Sequence, residues 1–368
     1  MKTVCHLTSV HKAKDTRIYY KECRALAEAG YDVKLVVVNS HDLKSDFENL
    51  EIVNVHVPFQ NKLTRILKAP FAVLRTALEI DADMYHFHDP ELLLIANRLR
   101  ANGACVVYDS HEDVPNQIKH KSWIPVLAKS LLSWGYKYFE HRVANKLDAV
   151  ITVVEPIADR FRMVNSRVVV LKNYPIIGNS LEKDNWLQRD ALACYIGDLT
   201  EVRGSKTMVK SMESTSIKLE LGGSFESNEL SQEVRSYNGW EKVNELGFLN
   251  RERVHQVYSK CKVGLVLLHP TPSYIDALPV KLLEYMAAGL AVVGSDFGLI
   301  KEIVEKHHCG VLVNPLDEVK AGEAIMSLID DDDRAKMMAE NGRRAVEEHY
   351  NWQVEKLKLT DLYKTLLN

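Results

Sequence analysis

The sequence predicts an α/β protein built from two Rossmann-like parallel-sheet domains facing a cleft. Three observations carry this. Short β-branched runs alternate with helical patterns along the chain, a linker-like stretch interrupts the alternation once, and 368 residues exceed what a single growing core accommodates. Strands separated by helices imply parallel pairing through crossover connections. In the first half, strands are expected at 3–9, 32–38, 52–57, 83–87, 104–108, 148–153 and 167–171. In the second half they are expected at 191–197, 217–221, 242–247, 262–268, 291–295 and 310–313. Between the halves, NYPIIGNSLEKDNWLQRD (173–190) holds Pro, Gly, Asn and charges without periodicity, the composition of a linker. Three helical patterns follow the last strand, at 317–330, 333–348 and 352–367. The domains are drawn at 1–172 and 173–351.

Apolar residues make up 46 % and charged residues 26 %, the balance of a soluble globular chain. No apolar run approaches the roughly 18 residues of a membrane span. The opening MKTVCHLTSV has no secretory h-region and reads as a first strand, which favours the cytoplasm. Cysteines 5, 23, 105, 194, 261 and 309 are scattered without a CxxC pair, so they read as reduced thiols rather than metal or disulfide partners. The net charge of −3 divides into a basic first half and an acidic second half, which points to an anionic partner for the first. Nothing in the pattern suggests nucleic-acid binding.

A pair of Rossmann-like domains suits a dehydrogenase, a sugar epimerase, a glycosyltransferase or a periplasmic-type binder, and fold alone does not choose among them. The binder loses ground without a signal peptide. The nicotinamide reading loses its main support because HLTSVHKAKDTRI (6–18), not GxGxxG, follows the first strand.

The most informative stretch is DALPVKLLEYMAAG (276–289), which opens a helix at the C-terminal edge of a strand. A helix starting near Leu278–Pro279 presents free N–H groups and a positive dipole end to an anion. Pro279 suits the first turn, where a missing N–H costs nothing. Lys281 adds a full charge, and Glu284, about a turn and a half on, can accept hydrogen bonds from a ribose diol. As ordinary surface residues, Lys281 and Glu284 would carry no such role.

Here a resemblance becomes specific. The run HPTPSYIDALPVKLLEYMAAGLAVVGSDFGLIKEIVEKHHCGVLVNPLD (269–317) resembles the donor-nucleotide motif of the retaining glycosyltransferases of family 4, which have the GT-B fold. That motif has two glutamates eight positions apart, an Ala-x-Gly turn, an apolar strand, a glycine loop, a glutamate and a Gly-x-Leu-Val strand. This chain has Asp276 and Glu284 at that spacing, then Met286–Gly289, Gly298, Glu302 and Gly310–Val313. The resemblance implies that Glu284 binds the ribose of a nucleotide sugar, that Leu278 and Pro279 line the donor, and that Asp276, one methylene shorter than the usual glutamate, meets the donor sugar. It also implies that residues 352–368 return to the first domain. YIGDLTEVRG (195–204) resembles the family's diphosphate-gripping loop, with Gly197 at the turn and Arg203 at the second basic position. Asp198 stands where the family places an arginine, so either Lys206, Lys281 or Arg17 compensates or phosphate binding is weakened. LELGGSF (219–225) places Gly222 and Gly223 near the nucleotide.

Three clusters end strands of the first half. HKAKDTR (11–17) resembles a loop of bacterial surface-polysaccharide members and offers His11 and Asp15 to the acceptor and Arg17 to donor phosphate. Without that resemblance, Asp15 reads equally as a helix cap. HFHDPE (86–91) offers Asp89, although Asp89-Pro90 is also an ordinary helix start. YDSHED (108–113) offers His111, which matches a family histidine near the donor sugar, with Glu112 and Asp113 on the acceptor side.

Two helical stripes complete the reading: Leu63, Leu67, Phe71, Leu74 and Leu78 with basic neighbours, and Ile124, Leu127, Leu131, Trp134 and Tyr138 among five basic residues and one acidic. Each stripe by itself reads as core packing, while the basic bias of both reads as contact with an anionic membrane. The resemblance implies a peripheral enzyme on the inner face of the plasma membrane that needs no metal. It would transfer a sugar from a nucleotide sugar, UDP-linked in the first instance, to a polyprenyl-diphosphate-linked glycan in capsule, O-antigen or exopolysaccharide assembly. The alternatives are a non-catalytic nucleotide-sugar-binding subunit and a nucleotide-sugar epimerase of the same fold.

Overall fold

The computed structural model describes residues 1–101, 103–111, 113–120, 125–176, 186–275 and 280–368. The chain divides into two compact units, residues 1–173 with 353–368 and residues 174–352.

The first unit holds β1 (Thr3–Leu7), β2 (Asp32–Val38), β3 (Leu50–Val55), β4 (Met84–Phe87), β5 (Cys105–Ser110), β6 (Ala149–Thr152) and β7 (Val168–Val170). They form one parallel sheet in the order β3-β2-β1-β4-β5-β6-β7. Strand order reverses between β1 and β4, and the C-terminal ends flanking such a switch are where open α/β sheets bind ligands. The second unit repeats the plan with β8 (Asp190–Ile196), β9 (Lys218–Gly222), β10 (Val243–Gly247), β11 (Cys261–Val266), β12 (Ala291–Ser295) and β13 (Gly310–Val313), in the order β10-β9-β8-β11-β12-β13. Its switch lies between β8 and β11.

Each expected strand is present among the described residues. The largest shift is β3, found two residues earlier than its β-branched run suggests. Its register is set by β2, from Val33 opposite Leu50 to Val38 opposite Val55, and Leu50 is buried by that pairing. The terminal helices are Glu318–Asp330, Asp332–His349 and Trp352–Leu367. The last of these packs in the first unit, where Tyr363 is fully buried. The six cysteines are free thiols.

Most described members of the two apolar stripes stand outside the core, Leu74 excepted. In the helix Lys62–Ile80, started by an Asn61–Thr64 capping box, the inward face is Ala69, Val73, Leu74 and Ala77. Small side chains there let the helix lie close on the sheet, and Leu63, Leu67, Phe71 and Leu78 are left exposed. In the helix Val126–Ala144, Leu131, Trp134 and Tyr138 are exposed while Ser133, Glu140, Val143 and Ala144 turn inward. Ile124 lies outside the described residues. No described helix is long and apolar enough to cross a membrane.

Candidate functional site

In the second unit, the site forms where β8 and β9 end and the helix Val280–Ala287 begins. Gly197 donates its N–H to the Gly222 carbonyl at 3.0 Å. Gly223 has φ +134°, and a Cβ there would lie 1.8 Å from the Gly197 carbonyl oxygen, so only glycine permits the two backbones to approach. A Cβ on Gly197 would in turn meet Lys281 Cε at 3.4 Å, which puts the lysine stem along this glycine turn. Lys281 Nζ pairs with Glu284 Oε2 at 2.6 Å, and the same oxygen accepts from the Tyr258 hydroxyl at 3.3 Å. Lys281 and Glu284 are each about one-third exposed, accessible yet held. Burial, then the neighbouring Glu284 carboxylate, pushes the Tyr258 phenol well up, so it stays a donor.

Arg203 sits on a short turn capped by Thr200. Its guanidinium is divided between the Tyr274 hydroxyl, 3.2 Å from Nε, and Asp198, 3.0 Å from Nη1. Asp198 therefore neutralises Arg203 directly. Lys206 is engaged by Glu201 and Glu233. Of the compensating cations expected, only Lys281 lies beside the glycine turn. Asp276, Leu278 and Pro279 lie outside the described residues, as does Glu112.

In the first unit, polar side chains gather at the ends of β1, β4 and β5. Asp89 does not cap the helical turn that follows it. Its carboxylate crosses to the loop after β1, accepting from Thr8 Oγ1 at 2.8 Å and from the Ser9 N–H at 2.6 Å. With 2 % of its surface exposed, it shapes that loop. His11 stands between Asp89 and Asp15, each 3.4 Å away. Asp15 also accepts from the N–H groups of Arg17 and Ile18, which caps the short π-helix Ile18–Cys23. Burial opposes ionisation of Asp15, but His11 and those N–H groups outweigh it and hold the carboxyl well below the usual range. The His111 ring stacks edge-on to His11 at 5.2 Å between centroids, with Nδ1 buried 3.7 Å from Asp109. Asp113 accepts from the Asn116 N–H at 3.3 Å, starting the helix Val114–His120.

Arg17 corrects the sequence reading. Expected as a phosphate ligand, it is buried and forks onto Asp109, Nε to Oδ2 at 2.8 Å and Nη2 to Oδ1 at 2.9 Å, while Nη1 donates to the Leu171 carbonyl. Burial disfavours the charge on Asp109, but Arg17 and the histidines at 88 and 111 overcome it and keep the carboxyl well below its ordinary range. Arg17 is a buried cation whose three guanidinium nitrogens are each engaged within its own unit.

Residues 178–345 match the family model "Glycosyl transferases group 1", and residues 17–173 match "Glycosyl transferase 4-like domain". The two models lie one after the other over most of the chain, and the fold is that of the GT-B glycosyltransferases. An α-maltose-1-phosphate synthase of Mycolicibacterium smegmatis is 24 % identical over 266 residues, covering 60 % of this chain and 65 % of that one. An uncharacterized glycosyltransferase of Methanocaldococcus jannaschii is 24 % identical over 180 residues, 48 % of this chain and 45 % of that one. The chain thus spans between about half and two-thirds of these relatives' length. Among solved structures, sucrose-phosphate synthase from Thermosynechococcus elongatus superposes with TM-score 0.76 at 19 % identity, over 100 % of this chain and 99 % of that one. Anabaena HepE in complex with UDP-glucose gives 0.71 at 15 % identity over the whole of both chains. At these identities the likeness establishes the fold.

Sequence reasoning missed Tyr258 and Tyr274, which hold Glu284 and Arg203, because tyrosines in helices carry no local signal of their partners. It also missed Asp109. There the signal was present: an aspartate inside CVVYDS, a strand in the middle of a parallel sheet, must find a buried partner.

Proposed function

We propose that the protein is a retaining glycosyltransferase of family 4 that transfers a sugar from a nucleoside diphosphate, UDP in the first instance, to a hydroxyl of a polyprenyl-diphosphate-linked glycan in bacterial surface-polysaccharide assembly. The carrying observation is the Lys281–Glu284 pair set against the Gly197–Gly223 turn at the β8/β11 switch. In this reading the 174–352 unit takes the donor and the 1–173 unit the acceptor. Glu284 holds the ribose diol and Asp276 the sugar hydroxyls. Lys281 and Arg203 stabilise the charge that develops on the departing diphosphate. They do this without a metal ion. His111 lies toward the donor sugar, with His11, Asp15, Glu112 and Asp113 on the acceptor side. Transfer breaks the bond from the anomeric carbon to the diphosphate and forms one to the acceptor oxygen on the same face, the acceptor proton leaving toward the diphosphate.

A thermal-shift screen of nucleotide sugars tests the donor half. A true donor raises the melting temperature with dose by mass action, and failure of every nucleotide sugar to do so sinks the proposal. The stabilising donor is then assayed for transfer to a lipid-linked acceptor.

The Arg203–Asp198 pair favours a second reading, a nucleotide-sugar-binding subunit without catalysis. Asp198→Asn discriminates. The pair is half in water and worth about 1 kcal/mol or less, so freeing Arg203 should tighten UDP binding by up to about fivefold and speed transfer. Unchanged binding would remove Arg203 from the diphosphate site, and tighter binding with no transfer would favour the subunit.

Exposed Leu63, Leu67 and Phe71 on one helix, and Leu131, Trp134 and Tyr138 on another, support an acceptor at the inner face of an anionic membrane, with Lys68, Lys129 and Lys137 beside them. Each engaged cation contributes about 1 kcal/mol near such a surface. The protein should sediment with anionic vesicles at low salt and release as salt rises, and Trp134 emission should shift blue. Lys129→Glu with Lys137→Glu should weaken sedimentation while donor affinity is kept. Absence of vesicle binding at every salt concentration would send the search to soluble acceptors.

A further inference from the structure

Beneath the polar loops of the first unit lies a buried cluster that the sugar chemistry does not use. His6 on β1 is in register with His86 on β4, and His88 follows two residues on. Alternation along the strand places His86 and His88 on one face. The imidazole centroids lie 4.5 Å (His6–His86), 4.6 Å (His86–His88) and 5.2 Å (His6–His88) apart. Glu22, from the π-helix Ile18–Cys23, closes the cluster, and all four side chains are 0–1 % exposed.

We propose that His6, His86, His88 and Glu22 form a structural site for a divalent transition-metal ion of the zinc class. One donor atom from each residue lies within 4.8 Å of the others. Glu22 Oε2 is 3.9 Å from His86 Nδ1 and 4.0 Å from His88 Nε2, and His6 Nδ1 is 2.9 Å from His88 Nε2. Zinc bonds of about 2.0–2.2 Å set tetrahedral donor separations near 3.3–3.4 Å, so adjustments of roughly half an ångström per side chain close the cage. Three imidazoles and one carboxylate are donors that zinc accepts.

Two independent features point into the cage. Glu22 is a fully buried carboxylate neither of whose oxygens makes a hydrogen bond; Oε1 has only the ion contact with Arg17 at 3.0 Å. An unsatisfied buried carboxylate is costly, and a cation beside Oε2 removes that cost. The outer shell is the other feature. His88 presents Nδ1 to Asp109 at 3.1 Å and His6 presents Nε2 to the Tyr363 hydroxyl at 3.1 Å, so His88 Nε2 and His6 Nδ1, which now share a hydrogen bond at 2.9 Å, are the nitrogens that would exchange it for the ion. A carboxylate behind a ligating imidazole fixes its tautomer and raises its basicity. His86 Nδ1 now meets the Tyr363 hydroxyl at 2.7 Å and would exchange it for the ion. Burial keeps all three imidazoles neutral, the form that ligates, against the opposing pull of Asp109 on His88. In charge, Arg17 offsets Asp109, and Glu22 offsets one of the ion's two charges. Its work is to join β1, β4, the π-helix and, through Tyr363, the C-terminal helix.

The test uses the full chain without a histidine tag, expressed with added zinc. Elemental analysis should find about one zinc per chain, and chelation should lower the melting temperature in a way zinc restores. Cobalt(II) added to stripped protein should give the intense visible bands of a tetrahedral site. Glu22→Gln and His86→Asn should each weaken cobalt binding by roughly tenfold or more, while stabilisation by nucleotide sugar in the other unit shows that the chain still folds. Less than about a tenth of an equivalent of zinc, with no cobalt bands from the wild-type chain, overturns the site. So does bound metal that neither substitution affects.

Discussion

Arg17→Ala is expected to lower the melting temperature by roughly 6–20 °C. Removing one partner of a buried, forked ion pair costs about 3–5 kcal/mol, and each kcal/mol moves the midpoint by about 2–4 °C in a unit of this size. The size follows from what remains: Asp109, fully buried, would keep its charge without its guanidinium, and Glu22 would lose its only cationic contact. Arg17→Lys should recover only part, because an ammonium cannot reproduce the two parallel bonds to Asp109. Arg17→Met combined with Asp109→Leu should be milder than the two single losses summed, since neither charge is then stranded. Calorimetry of wild type, these variants and the two single substitutions Arg17→Met and Asp109→Leu measures this. A midpoint for Arg17→Ala within about 2 °C of wild type would mean that water reaches Asp109 and that Arg17 can serve a ligand after all.

Glu284→Ala should weaken nucleotide-sugar binding by about ten- to a hundredfold, the worth of a charged hydrogen bond of roughly 1.5–3 kcal/mol to the ribose. The unliganded fold should hardly change, because the Lys281 pair it breaks is one-third exposed and such pairs are worth about 1 kcal/mol or less. Lys281 then swings free of its partner, so binding of the nucleoside should suffer more than binding of inorganic diphosphate. Glu284→Gln, which keeps one acceptor oxygen, should fall between. Titration calorimetry with the donor found by the screen distinguishes these outcomes, and donor affinity unchanged in Glu284→Ala would take the ribose away from this helix.

Local pattern was enough to determine the strands and the plan of two parallel sheets. Parallel strands buried on both faces must be apolar runs, and the chain has no other way to cover them than with the helices between. The helix carrying Lys281 and Glu284 was legible for a related reason: a helix that follows a strand brings a lysine and a glutamate to one sheet edge through local geometry alone. The tertiary structure decided what separations of many tens of residues had hidden. Tyr258 against Glu284, Asp109 against Arg17, and Tyr363 against His6 and His86 are pairings that no periodicity encodes. Arg17 sits in a loop that resembles a ligand-binding one, yet the pull of a buried carboxylate on a neighbouring strand outweighs that of solvent. The apolar stripes of the two basic helices likewise had a period that suited core or membrane equally. Which face turned inward was settled by fit, because Ala69, Val73 and Ala77 let one helix approach the sheet and the larger side chains were left outside.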